Sequence, residues 1–274
     1  LIPTFKKQME FIQTHRDEIL SSLKITEMDR PHMVTAAIPA SARLVMLGEV
    51  HNRETHRLQT ARLLEEYRAL HPGRKMVLLS EFLPSRHPQF WKPGQAIPKD
   101  FFEKNPEFSN EVYALGKRLD MDIYGLEDIE FVYQKMPQVS GLGLVEANTS
   151  FRGMVVRNKY WENLVRYVMD ATKKKYLDAV FFVYAGNAHV NKNVAESLSA
   201  NLKDQTPFVV EMQDGYQHGF LGFLLGKDPS VAAELPGPYL FSWKDGKNFS
   251  KVMGFDAQVV FPLEDKATVP VDQK

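Results

Sequence analysis

Residues 43–82 read RLVMLGEVHNRETHRLQTARLLEEYRALHPGRKMVLLSEF, and this stretch decides the fold. It opens with a short apolar run, Arg43 to Leu47, closed by Gly48, the mark of a buried strand and a tight turn. A helical pattern follows from about Arg53 to Leu70, with Asn52 as its cap and Leu58, Ala61, Leu64 and Tyr67 facing inward. Pro72-Gly73 stops it, and Lys75 to Phe82 is a second buried strand. Strand, helix and strand at that spacing form a βαβ unit, whose two strands lie parallel.

The same alternation extends outward. Thr4 to Lys24 carries a helical stripe, and a helix is expected near Pro106 to Leu119 before a third strand, Met121 to Tyr124, closed by Gly125. Arg152 to Lys175 reads as a long helix whose lysines at 173 to 175 suit its C-terminal end. Ala179 to Tyr184 (AVFFVY) is the most hydrophobic strand; a helix at Asn191 to Leu202 and a strand at Pro207 to Met212 follow. Tyr239 to Trp243 and Gln258 to Phe261 are shorter strands. Leu83 to Pro98, with Pro84, Pro88, Pro93, Pro98, Phe90 and Trp91, is expected to be a lid or long binding loop. The Gly-rich stretch around His218 reads as a flexible cover. The fold class is α/β: a layered, mainly parallel β-sheet flanked by helices. One domain spans 1–274, with a core at about 40–215 and a small β-rich C-terminal extension at about 227–274.

Composition narrows the chemistry. The 274 residues include 34 basic and 34 acidic side chains, giving a net charge of zero. General nucleic-acid binding, which needs cations to neutralise phosphates, is therefore excluded as the expected role. With no cysteine in the chain, disulfides, thiolate zinc sites, iron–sulfur clusters and cysteine nucleophiles fall away together. No apolar stretch approaches the ~18 residues of a membrane span. No GxxxxGK loop, HExxH or GxSxG elbow occurs, and Gly141-Leu142-Gly143 lacks the third glycine of a dinucleotide fingerprint. The chain opens on Leu1, so its native start is expected to be missing. An exported location, periplasmic or secreted, is slightly favoured over the cytosol.

Ligands of open α/β sheets bind beyond the carboxyl ends of the strands. Here those ends are polar: Gly48-Glu49-Val50-His51 after the first strand, Glu81 after the second, Gly125-Leu126-Glu127-Asp128 after the third, and Gly186-Asn187-Ala188-His189 after the fourth. Converging carboxylates and imidazoles either hold a divalent cation, with His51, Glu81 and His189 as ligands, or polarise a water. His56, in the first helical turn, reads as a neutral hydrogen-bonder or as an exposed helix histidine. Arg157 and Asn158 on the long helix face either an anionic ligand or solvent.

The string Gly48-Glu49-Val50-His51-Asn52, with His56 and Gln59 after it, resembles the opening motif of the ChaN/Tiki/erythromycin-esterase superfamily, and is most similar to the ChaN branch. Glu81, Tyr124-Gly125, Arg157 and Gly186-Asn187-Ala188-His189-Val190 follow in the matching order, so the resemblance spans about residues 40 to 200. It implies an α/β fold with two His-bearing turns facing each other across a pocket. It also implies either a hydrolase using His and Glu around a water, with or without metal, or a haem-binding factor of iron uptake.

Two functional expectations result. In the first, Glu49, His51, Glu81, Arg157 and His189 are catalytic in an ester or peptide hydrolase, with Mn, Co or Zn as the divalent metal. His56, Tyr124, Asn158, Asn187 and Trp91 then contact the ligand. In the second, the chain binds haem without catalysis, beneath Phe90 and Trp91. The expected partner is a small molecule or peptide, and a homodimer is compatible with both.

Overall fold

The computed structural model describes residues 3–28, 33–135, 150–215, 238–244 and 248–262. The elements are α1 (Pro3–Thr14), α2 (Arg16–Ser22), β1 (Leu23–Glu27), α3 (Met33–Ala37), β2 (Leu44–Glu49), α4 (Glu54–Leu70) and β3 (Met76–Pro84). They continue with α5 (Phe101–Lys104), α6 (Leu115–Arg118), β4 (Met121–Glu127), α7 (Ile129–Lys135), α8 (Phe151–Lys173), β5 (Val180–Gly186) and α9 (Asn187–Val190). The last are α10 (Leu198–Asn201), β6 (Phe208–Asp214), β7 (Tyr239–Trp243), α11 (Ser250–Met253) and β8 (Ala257–Phe261).

The strands form one eight-stranded sheet in the order β1-β7-β8-β6-β2-β5-β3-β4. From β8 to β4 every pairing is parallel, and β7 runs antiparallel to both β8 and β1. All residues of β2 and β5 are buried, which is why both read as unbroken apolar runs in the sequence. One face of the sheet packs under α8 through Trp161, Val165 and Val168; the other packs under α4 through Leu63, Leu64 and Tyr67. Ser150 caps α8, its hydroxyl accepting from the Gly153 amide at 3.0 Å.

Several elements differ from the sequence reading for local reasons. The stripe from Thr4 to Lys24 is two helices interrupted at His15, and Leu23 to Glu27 is a strand, because β7 pairs with it over its full length. Asn52 does not cap α4. It takes a left-handed backbone, φ 63°, and Arg53 holds the cap position without a side-chain bond. The expected helix at 106–119 is broken into a 3-10 turn at Pro106–Phe108 and the short α6 at Leu115–Arg118, because the Asn110 carboxamide accepts from the Val112 and Tyr113 amides and sets a turn between them. Of the helix expected at 191–202 only α10, Leu198–Asn201, forms; the helical turn before it, α9, already ends at Val190. Asn191 is drawn to the Glu211 carboxyl at 2.5 Å, and Glu196 adopts a positive φ of 63°. The late strands β7 and β8 extend the main sheet itself. His218 and the rest of residues 216–237 lie outside the described residues.

The proline-rich segment folds down instead of standing off the sheet. Trp91 is 4% exposed and its indole donates to the Pro84 carbonyl at 3.0 Å. The Ile97 amide donates to the Ile123 carbonyl at 2.8 Å, covering part of the β4 edge.

Candidate functional site

Parallel register delivers the carboxyl ends of β2, β3, β4, β5 and β6 to one edge of the sheet, and the polar strand-end residues meet there. Glu49, at the end of β2, is buried, and its Oε2 accepts from the Tyr184 hydroxyl of β5. Its Oε1 lies 3.4 Å from His51 Nδ1. The His51 side chain remains 54% exposed, because the left-handed Asn52 turns the chain outward beside it. The hydrogen bond to Glu49 is the largest influence raising the His51 pKa above its ordinary value. The charges of Glu81 and Glu49 add to it, and burial and Arg157 oppose it.

Across the pocket, Glu81 is held from two sides. Its Oε1 accepts from Arg157 Nη2 at 2.6 Å, and its Oε2 accepts from the Gly186 amide at 2.7 Å. The same Arg157 nitrogen donates to Glu127 at the end of β4. Arg157 Nη1 lies 3.3 Å from His189 Nε2, and the guanidinium stands 4.8 Å over the Trp161 ring. Asn158 donates through Nδ2 to the Glu196 carbonyl, which leaves its Oδ1 to accept from His189 Nδ1 at 2.7 Å. The Nδ1–H tautomer of His189 is thereby set, with the Nε2 lone pair facing Arg157. Burial lowers the His189 pKa to about 4, so the ring is neutral at neutral pH.

His56 is fully buried, and both ring nitrogens are taken by protein partners. Nδ1 accepts from the Val50 amide at 3.1 Å, and Nε2 donates to Asp214 Oδ1 at 3.0 Å. Burial lowers its pKa; a helix N-terminus is not needed to explain its neutrality. The bond to Val50 fixes the backbone between Glu49 and His51. Asn187 Nδ2 donates to the Met212 carbonyl at 2.8 Å and so ties β5 to β6. Tyr124 is half-buried with its hydroxyl toward Thr172, near the far end of α8. Fifteen residues of helix separate Thr172 from Arg157, or about 22 Å at ~1.5 Å per residue.

The metal set expected from the sequence, His51, Glu81 and His189, is not assembled as a metal-binding group; no such group exists among the described residues. The physical reason is Arg157. Its guanidinium lies against Glu81, Glu127 and His189 Nε2, so a fixed cation occupies the place where a bound one would be coordinated.

Glu49, His51, Glu81, Glu127, Arg157 and Tyr184 open on a cavity of about 430 Å³, closed elsewhere by Asn52, Arg53, Arg57, Phe82 and Asn110. A second cavity of about 870 Å³ shares the wall formed by Glu81, Phe82 and Glu127 and runs between Pro84, His87 and Trp91 on one side and Ile129 on the other. Glu127 was visible in the sequence as a polar strand end, but its role beside Arg157 was not. Tyr184 reads in the sequence only as a strand aromatic, and Arg53 and Arg57 only as ordinary helix cations. Arg53 Nε lies 2.6 Å from Asp214, and Arg57 pairs with Glu111.

Gly186 sets the distance between the two halves. A β-carbon there would sit 2.7 Å from His51 Cε1, a spacing real side chains do not adopt. Gly186→Ala is therefore expected to push the imidazole off its position while leaving the sheet intact. Any hydrolytic turnover should fall about 10²-fold, the usual cost of ~1 Å misplacement, with an unchanged circular dichroism spectrum. Wild-type turnover in this variant would show that His51 placement is not critical.

No protein-family model matches the chain, and no curated protein matches it. Among solved structures, a succinoglycan biosynthesis protein is similar with a TM-score of 0.49 at 13% identity, over 92% of this chain and 97% of that one. The type III effector HopBA1 has a TM-score of 0.45 at 12% identity, over 89% and 98%. ChaN of Campylobacter jejuni, solved with cofacial haem, has a TM-score of 0.40 at 11% identity, over 88% and 97%. The likeness to ChaN is a distant one. Among the described residues no helix is long and apolar enough to cross a membrane.

Proposed function

We propose that the protein hydrolyses an ester or amide, with His51 as general base and no metal ion in the reaction. The observation that carries this is the Glu49–His51 pair: a buried carboxylate holding one nitrogen of an imidazole whose body stands exposed at the cavity. With Nδ1–H given to Glu49, Nε2 keeps its lone pair. A water there yields a proton to Nε2 as its oxygen bonds to the acyl carbon. When the tetrahedral adduct collapses, the bond to the leaving group breaks, and the proton passes from Nε2 to the departing oxygen or nitrogen. Tyr184 keeps Glu49 aimed. Arg157, tied to Glu81 and Glu127, forms part of the cavity wall, and Arg53 and Arg57, paired with Asp214 and Glu111, line it as well.

The test is turnover of a panel of 4-nitrophenyl esters and fluorogenic peptides, with EDTA-dialysed protein retaining its rate. If no member of the panel is turned over faster than by a His51→Ala variant, the proposal fails. The pH profile adds a sign. Because Glu49 raises the His51 pKa, the acidic limb of kcat/KM should lie above the ordinary histidine value of 6.5. Activity is lost as the pH falls and the base takes up its proton. Glu49→Gln removes the largest raising influence and should shift that limb to lower pH; a limb that stays put would show that Glu49 does not hold the base.

A second reading, haem binding, is favoured by the size and apolar walls of the 870 Å³ cavity. The imidazole among its lining residues is His87, whose Nδ1 accepts from the Gln89 amide at 3.2 Å. Iron ligation through Nε2 requires the proton on Nδ1 and hence loss of that bond. Haem titration decides: no Soret shift at micromolar protein removes this reading.

A further inference from the structure

We propose that the larger cavity is the subsite for an uncharged, bulky apolar arm of the substrate, so that the preferred substrates are hydrophobic esters or amides. This rests on the hydrolase reading above. The argument begins at Phe82. Its ring is 38% exposed, unusual for a large apolar residue at the end of a buried strand. It stands in both cavity walls, with edge contacts to His51 at 5.3 Å and to Tyr184 at 5.0 Å between centroids. A substrate whose reacting carbon lies at His51 therefore meets an apolar ring next and then enters the groove of Leu83, Pro84 and Trp91.

The four carboxylates of the groove are all paired, Glu81 and Glu127 on Arg157 and Asp128 and Glu130 on Arg86, which leaves the wall net negative and closed to an anionic arm. Arg86 holds Asp128 at 2.9 Å and Glu130 at 3.2 Å, and Glu127 belongs to Arg157. His87 lies against Trp91, and exposed Lys92 is at the rim. Each carboxylate is already engaged by a guanidinium, whereas Leu83, Pro84, Pro88, Trp91, Pro93 and Ile129 offer apolar surface. Apolar area removed from water is the binding energy such a groove can supply.

The experiment compares kcat/KM for two ester series, one lengthening the acyl chain from acetyl to octanoyl with a fixed 4-nitrophenol, the other enlarging the alcohol of a fixed butyrate from methyl to naphthylmethyl. One series should rise by about fourfold per buried methylene over its first few members. Two variants report on the groove, Ile129→Asp and Pro88→Asp, at exposed positions in its wall. Both should erase the dependence on size while leaving the smallest ester unchanged. Flat series in the wild type, or size dependence surviving both variants, would overturn the subsite. Absence of turnover for every ester, or turnover that His51→Ala leaves unchanged, would instead overturn the hydrolase reading, so the two failures are distinguishable. Equal melting curves exclude misfolding as the cause.

Discussion

His51→Ala is expected to lower kcat by about 10²–10⁴-fold, the range that a positioned general base contributes. The size of the effect follows from what the site leaves behind. Glu49 is buried and already engaged by Tyr184, so it cannot swing out to take the proton in place of the imidazole. His189 has its Nε2 against Arg157 and its pKa lowered to about 4, so it is too weak a base to substitute. The variant should fold normally. His51 is half-exposed, and substitutions at such positions usually fall within about 0.5 kcal/mol of wild type. Combining His51→Ala with Glu49→Gln should cost little more than His51→Ala alone, because Glu49 acts through the ring that has been removed. A double variant much slower than either single one would show that Glu49 contacts the reacting atoms directly.

How far the sequence carried the fold can be judged from particular elements. Strands β2, β3, β5 and β6 are legible because burial on both faces leaves little but apolar residues. Helix α8 is legible because its stripe is long and its start is capped. Strand β1 is hidden, since Leu23–Glu27 is only five residues long and owes its conformation to β7, which lies far along the chain. Such nonlocal pairing leaves no mark in a local pattern.

The site divides in the same way. Carboxylates and imidazoles at strand ends can be read from the sequence, because parallel strands must bring those ends together. The sign of what lies between them cannot. Two carboxylates and a histidine invite a metal ion equally whether or not a guanidinium has been inserted, and only the packing of α8 against the sheet shows that Arg157 has filled the gap. Tyr184 and Tyr124 illustrate the remaining loss. Both are strand aromatics in the sequence, yet one reaches Glu49 and the other faces the far end of α8. Strand alternation decides between them: β5, buried on both faces, leaves no polar contrast to follow, whereas in β4 the half-buried Asp122 marks the face that Tyr124 shares.

Arg157→Met is expected to be the most damaging single change, because it removes the cation and leaves both of its carboxylates in place. Glu81 and Glu127 have side chains only 6% and 14% exposed, so neither can turn to water for compensation. Breaking a buried ion pair in this way costs about 3–5 kcal/mol. The loss should depend on pH with a definite sign. Burial raises the Glu127 pKa above its ordinary 4.5, and the Arg157 charge pulls against that rise. Without Arg157 the folded-state pKa climbs further. The folded chain then holds the Glu127 proton more tightly than the unfolded chain does. Stability falls as the pH rises from 4.5 through the raised value, and the penalty is present in full only above it. Urea midpoints should therefore lie far below wild type at pH 7.5 and draw closer to it at pH 5. Arg157→Lys should recover only part of the loss, since an ammonium can neutralise one carboxylate but lacks the planar fork that also meets His189 Nε2. A midpoint difference that is the same at both pH values would show that the loss comes from packing against Trp161 and not from the stranded carboxylates.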